Sequence, residues 1–173
     1  MAKRWIPPLV GERVRLRLLA EADLPMTLAW RNQDHIRKWF LNSNRIVPEE
    51  HREWFAQHAE RDDDFVFIIE EHHRLHKPVG QTSLYRIDWK QKRAEYGRLL
   101  IGEPEATGQG LAREATEVLL RYAAELGLRD IELEVLAHND VAIALYRACG
   151  FCLLEERDGQ KRMRKQLSAG GDD

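Results

Sequence analysis

Apolar side chains recur at helical spacing over residues 111–126 (Leu111, Ala115, Val118, Leu119, Tyr122 and Leu126), and Gly127 follows as a stop. The runs on either side, AEYGRLLI (94–101) and IELEVL (131–136), instead have the character of strands. A helix set between strands has to cover a sheet, and the rest of the chain extends that pattern. RVRLRLL (13–19) alternates as a half-buried strand, and Asp23 stands where a helix through Trp30 would be capped, with Pro25 in its first turn. RNQDHIRKWFLNSNRIV has no clean period and reads as a loop with short helical turns. PEEHREWFAQHAE (48–60) is helical, with Trp54, Phe55 and His58 on one side. FVFIIE (65–70) and VGQTSLYRI (79–87) are strands, and DWKQKR is a turn. DVAIALYRAC (140–149) is a helix closed by Gly150, and FCLLEER with KRMRKQL makes a final strand pair. The order of elements predicts an α/β fold: a mixed sheet of about seven strands with helices on both faces.

At 173 residues, with no Pro/Gly/Ser-rich linker, the chain is expected to form one domain over residues 1–167, followed by a disordered tail at 168–173. Hydrophobic residues make up 43% and charged residues 32%, a globular composition, and no apolar run approaches the roughly 20 residues of a membrane helix. The start, MAKRWIPPLVGERVRL, lacks an apolar stretch of signal-peptide length, so the expected location is cytoplasmic, away from membranes. With 27 Lys and Arg against 29 Asp and Glu, no global positive field favours nucleic acid. Any phosphate contact has to be local.

Cys149 and Cys152 form a C-x-x-C, yet Cys149 ends a helical pattern, where the dipole disfavours a thiolate. Both are expected to be ordinary buried thiols. His72, His73 and His76 lie among charged residues between two strands and read as a polar turn, so no metal site is expected.

Gly108 and Gly110 stand directly before the 111–126 helix. A helix start leaves several N–H groups unpaired, and two residues without Cβ let the backbone approach an anion. No Gly-Lys-Ser/Thr follows and a third glycine is missing, so neither the P-loop nor the dinucleotide fingerprint is present. By spacing alone, a tight turn before a core helix accounts for the glycines equally well.

GQGLAREA, followed by LEVLAHNDVAIALYRACGF, resembles the GNAT superfamily of acetyl-coenzyme A dependent N-acetyltransferases over nearly the whole chain. The family's Arg/Gln-x-x-Gly-x-Gly/Ala loop falls on Thr107, Gly108, Gln109, Gly110, Leu111 and Ala112. Gly110 and Ala112 match, whereas Thr107 replaces the usual Arg or Gln. The resemblance implies that backbone amides of residues 108–113, through Arg113, hold the pyrophosphate of acetyl-CoA. It also implies that Asn139 helps to bind it and that Tyr146 protonates the departing thiolate. The pantetheine arm is expected along Leu99, Leu100 and Ile101, where a backbone N–H would polarise the carbonyl.

Acetyl transfer from a thioester needs a neutral amine, a polarised carbonyl and a proton for sulfur. A phenol can supply that proton. Glu95, a carboxylate on an otherwise apolar strand, resembles the glutamate that takes the amine proton in several GNAT enzymes, directly or through water.

The segment WRNQDHIRKWFLNSNRIVPEEHREWF (30–55) resembles the nucleotide-linked amino-sugar N-acetyltransferases of the superfamily, such as those acting on UDP-4-amino-4,6-dideoxy sugars. That resemblance names Arg31, Asn32, Phe40, Asn42, His51 and Trp54 as acceptor-binding residues. Arg31, Arg37 and Arg45 would meet a diphosphate, and Trp39, Phe40 and Trp54 would stack on a base or sugar. Loop arginines in solvent and core tryptophans would give the same pattern. Two alternatives stay open: a protein N-terminal acetyltransferase of the ribosomal-protein alanine type, and a catalytically silent acyl-CoA-binding module. Oligomeric state is not legible.

Overall fold

The computed structural model describes residues 2–168. Of the tail expected at 168–173, residues 169–173 lie outside the described residues. Eight strands form one sheet in the order β1-β2-β3-β4-β5-β6-β8-β7. They are β1 (Leu9–Val10), β2 (Val14–Leu18), β3 (Asp64–Glu71), β4 (Lys77–Asp88), β5 (Arg93–Ile101), β6 (Asp130–Leu136), β7 (Cys152–Arg157) and β8 (Gln160–Gln166). The expected count was about seven. The addition is the two-residue edge strand β1, too short for any alternation to show. Five α-helices connect the strands: α1 (Leu24–Arg31), α2 (Asp34–Arg37), α3 (Pro48–His58), α4 (Leu111–Glu125) and α5 (Asp140–Ala148).

All neighbouring strands run antiparallel except β5 and β6. Those two pair in parallel over only three residues, Arg93–Glu95 against Asp130–Glu132. Beyond Glu95 they part. The edge of β5 over residues 96–101 is left open, while β4 stays paired on its other side.

The alternation of β3 shows how both faces are covered. Phe65, Phe67 and Ile69 enter the main core with Leu111, Ala115 and Leu119 of α4, whereas Val66 and Ile68, equally buried, lie on the opposite face. α1 packs on β4 and β5 and against α3. Leu111 and Leu119 are almost wholly removed from water, worth about 2 kcal/mol each, which fixes α4 firmly against the sheet.

Two local expectations are corrected. Asp23 sits at the start of α1, but its carboxylate turns back to the Ala20 N–H at 2.8 Å and to Arg17 at 2.7 and 2.9 Å, so it does not cap the helix. Cys149 is buried and burial raises its pKa, but Cys152 is exposed at the start of edge strand β7. The histidine-rich stretch is the polar turn expected, organised by Glu71, whose carboxylate accepts the N–H groups of His73, Arg74 and Leu75. Among the described residues no helix is long and apolar enough to cross a membrane.

Candidate active site

The gap between β5 and β6 widens toward their carboxyl ends, and both strands lead from there into helix starts. Crevices at the carboxyl ends of parallel strands are where open α/β sheets hold ligands. After β5, a short 3-10 turn (Pro104–Ala106) delivers the chain to Gly108 (φ 71) and Gly110 (φ 76), both in left-handed conformations that a side chain would strain. Gly110 occupies the N-cap of α4 without any capping side chain. The next backbone bond runs from the Glu114 N–H to the Gly110 carbonyl. Among the described residues, the N–H groups of residues 108–113 therefore have no partner. Six successive amides at the positive end of a 15-residue helix have the polarity that suits an anion.

Side chains around this loop hold it in place rather than fill it. Thr107 Oγ1 donates to the Pro104 carbonyl, and Gln109 Nε2 donates to the Glu105 carbonyl at 2.6 Å. Thr107 is thus turned inward on its own turn. Arg113 pairs with Glu117 at 3.0 Å one turn along, and Leu111 is buried in the main core whereas Ala112 is only half-buried. A residue that sequence reasoning missed fastens the loop from outside. Arg13 donates to the Gln109 carbonyl at 2.7 Å and pairs with Glu114 at 3.0 Å, while Glu114 also accepts the N–H groups of Arg13 and Val14. Nothing in the primary structure marks Arg13, because its partners lie about a hundred residues away.

At the end of β6, Asn139 is the N-cap of α5, accepting the Ala142 N–H at 3.3 Å. Tyr146, two turns along α5, is buried edge-on against Tyr96 of β5, with ring centroids 6.1 Å apart, and against Phe151 at 5.9 Å. Burial, with Tyr96 and Tyr85 nearby, pushes its pKa well above the ordinary phenol value, so the hydroxyl stays protonated. Tyr96 itself is tied to Thr116 of α4 at 2.7 Å.

Glu95 lies at the root of the gap, on the face opposite Tyr96. The sequence suggested an apolar setting; instead its carboxylate stands between Arg86 at 3.1 Å and Arg162 at 3.3 Å. Arg162 also bridges to Glu132 and Glu134, so the strands on both sides of the gap are joined by charge. Leu99 and Ile101 pack on the main core, while Leu100 turns to the other face and joins Trp30 and Ile36.

The acceptor-side residues are brought together, but mostly onto one another. Arg31 donates to the Asn42 carbonyl and lies 4.1 Å over the Phe40 ring, and burial lowers its pKa. Asn32 makes a two-way bond with the Ile46 backbone, at 2.8 Å in each direction, and the Asn42 side chain accepts the Asn44 N–H. His51 stacks on Trp54 at 5.6 Å and meets Thr27 at 3.1 Å; burial lowers its pKa. Asn32 and His51 also line a groove of about 660 Å³ between α1 and α3, with Arg45 and Arg52 on its wall. Trp39 reaches His138 in the β6–α5 connection, ring centroids 5.4 Å apart, and so ties the loop after α2 to the far side of the gap.

The sequence model for the family described as an acetyltransferase (GNAT) domain matches residues 13–152. The chain belongs to the GNAT acetyltransferase family. Among solved structures, the spermidine N-acetyltransferase from Vibrio cholerae in complex with CoA and spermine superposes with a TM-score of 0.81, at 25% identity over 92% of this chain and 98% of that one. The ribosomal L7/L12 alpha-N-protein acetyltransferase RimL in complex with coenzyme A shares the fold, with a TM-score of 0.78 at 19% identity, covering 94% of this chain and 99% of that one. Mycothiol acetyltransferase from Amycolatopsis mediterranei is 28% identical over 166 residues, 85% of this chain, and the chain spans about half that relative's length, 49%. An uncharacterised protein from Methanocaldococcus jannaschii is 26% identical over 82% of this chain, which spans 29% of that protein. The GNAT frame accounts for the mixed sheet, the parted pair of parallel strands and the open helix start together.

Proposed function

We propose that this chain transfers an acetyl group from acetyl-CoA to a primary amine. The observation that carries the proposal is the run of unpartnered amides at residues 108–113, placed at the carboxyl end of the β5–β6 gap. A diphosphate fits there because it supplies the acceptor oxygens that these N–H groups lack, and Asn139 lies at the opposite lip. The open edge of β5 over Leu99–Ile101 suits an extended arm that pairs with backbone groups, and one of its N–H groups would polarise the carbonyl.

When bound, acetyl-CoA supplies an acetyl group activated as a thioester. The amine nitrogen attacks the carbonyl carbon, the carbon–nitrogen bond forms and the carbon–sulfur bond breaks. Glu95 takes the amine proton, directly or through water, and the Tyr146 hydroxyl returns a proton to sulfur. Ordinary thiol and phenol values near ~8.5 and ~10 make that last transfer uphill by roughly 2 kcal/mol. Burial raises the Tyr146 pKa further, which adds to that cost for a thiolate of ordinary pKa. What suits Tyr146 to the role is its place on α5 beside the gap, with the proton held on oxygen in the resting enzyme.

For the acceptor, the 30–55 segment suggests a nucleotide-linked amino sugar. Arg31 and Arg37 are engaged within the loop, Arg37 with Asp34 and the Ser43 carbonyl. Arg45 and Arg52, on the wall of the groove beside Asn32 and His51, are the cations that would meet its diphosphate. A thiol-release assay with UDP-amino sugars, N-terminal peptides and polyamines tests both levels. Turnover of at least one amine is expected, with sugars leading. Turnover of peptides or polyamines alone would overturn the sugar, and stabilisation by acetyl-CoA without release from any amine would overturn catalysis.

A further inference from the structure

β5 changes phase in its middle. Tyr96 points into the main core, yet Leu100, four residues on and of the same parity, joins Trp30 and Ile36 on the opposite face. The change occurs at a bulge: Gly97 faces Ser83 and Leu100 faces Gln81, so three steps on β5 match two on β4. Arg98 is the inserted residue. Its φ of 54 places a long side chain in the left-handed region, a strained conformation that persists only where the surroundings impose it.

The surroundings do impose it. The Arg98 guanidinium donates in a fork to Asp64 at 2.8 and 3.0 Å and lies 4.3 Å over the Tyr85 ring and 5.6 Å from that of Trp54. Asp64 opens β3 and is only 6% exposed. Its other neighbour is His58, from the last residue of α3, at 3.2 Å. Lys3 closes the arrangement, donating to the His58 and Asp64 carbonyls at 3.1 and 2.5 Å. Burial alone would raise the Asp64 pKa, but His58 beside it and the fork from Arg98 hold it well below the usual carboxylate range. From the other side, Gln81 Nε2 donates to the Arg98 carbonyl at 3.3 Å. The N-terminal segment, α3, β3 and β4 therefore converge on one inserted residue, located where β5 has just left β6.

We propose that Arg98 and Asp64 are positioning residues for acyl transfer. Their fork locks the bulge and so fixes the direction of the β5 N–H groups that follow it, at Leu99–Ile101, along the gap. The argument rests on the acetyl-transfer reading, because a rigid donor matters only if charge develops on a carbonyl there. Neither side chain needs to touch the reacting atoms.

The test compares Arg98→Lys, which keeps the charge but loses the fork, with Asp64→Asn and the double variant. Expected is a fall in kcat of about 10- to 100-fold for each single variant. KM for acetyl-CoA and coenzyme A affinity should change less than about threefold, because the amides at 108–113 are untouched, and the double variant should be no worse than the worse single. If Asp64→Asn fails to fold, Arg98→Lys and Arg98→Gln carry the comparison, with Lys expected to retain more rate than Gln. Full kcat in folded Arg98 variants, or equal losses of kcat and coenzyme A affinity, would overturn the proposal. A readout free of turnover separates it from the functional reading: in amide NMR of the wild type and Arg98→Lys titrated with coenzyme A, the 99–101 amides should differ between proteins while those of 108–113 respond alike. Unchanged 99–101 amides would also overturn it, whereas a wild type that binds coenzyme A but acetylates no amine would sink the acetyl-transfer reading alone.

Discussion

Two regions flank β5 on opposite faces of the sheet, and they are built on opposite plans. From Thr107 to Arg113 the backbone is held by side chains, Arg13, Gln109 and Thr107, while the amides of 108–113 are left open. From Arg31 to Trp54 the side chains are engaged with one another and with loop carbonyls, as in the Arg31–Asn42, Asn32–Ile46 and His51–Trp54 contacts. The first region presents open backbone donors whose polarity suits an anion whatever its side chains. In the second, side chains create a shape, and specificity has to come from what that shape leaves uncovered. A change in the first region should therefore alter binding with little effect on folding, and a change in the second should do the reverse.

The largest effect is expected at Tyr146 of α5, which belongs to neither region. Tyr146→Phe is expected to lower kcat by about 100-fold while coenzyme A affinity holds within about threefold, since the hydroxyl matters as the thiolate leaves. Steady-state kinetics beside calorimetric titration would measure both, and a large affinity loss with normal turnover would remove the acid role. Asn32→Ala comes next. Two bonds to the Ile46 backbone disappear, so a loss of about 2 kcal/mol of stability is expected in thermal unfolding, with coenzyme A affinity unaltered. A comparable loss of coenzyme A affinity would show that the two regions are not separable. The smallest effect should follow Gly110→Val, where a branched side chain at φ 76 pushes the loop out of its left-handed turn. Coenzyme A affinity should weaken by about 10-fold, with a smaller change in thermal stability than that of Asn32→Ala. Unchanged affinity would break the assignment of the amides.

Legibility followed the same division. Helices α4 and α5 and strands β3 to β6 stand within a few residues of where their periods put them, because each buries a face whose repeat is visible locally. β1, at two residues, carries no period, and the Asp23 carboxylate turned back along the chain to Arg17 and the Ala20 N–H instead of making the cap its position suggested. Glu95 was found as a carboxylate out of place on its strand, but Arg86 and Arg162 beside it were not. Arg13, Arg98, Asp64 and the Trp39–His138 contact carried no signal, since an ordinary polar residue in a strand or loop looks the same whether or not a partner waits across the sheet.

The sequence by itself determined the alternation of strands and helices, the two glycines at the mouth of α4, and the GNAT character those features share with Asn139 and Tyr146. Folding decided the rest: that β5 and β6 part after three pairs, that a bulge turns Arg98 onto Asp64, and that Arg31 and Arg37 are engaged internally. The physical reason is range. Periodicity and backbone conformation are set by neighbours along the chain, whereas a charge finds its partner only when the sheet brings distant strands side by side.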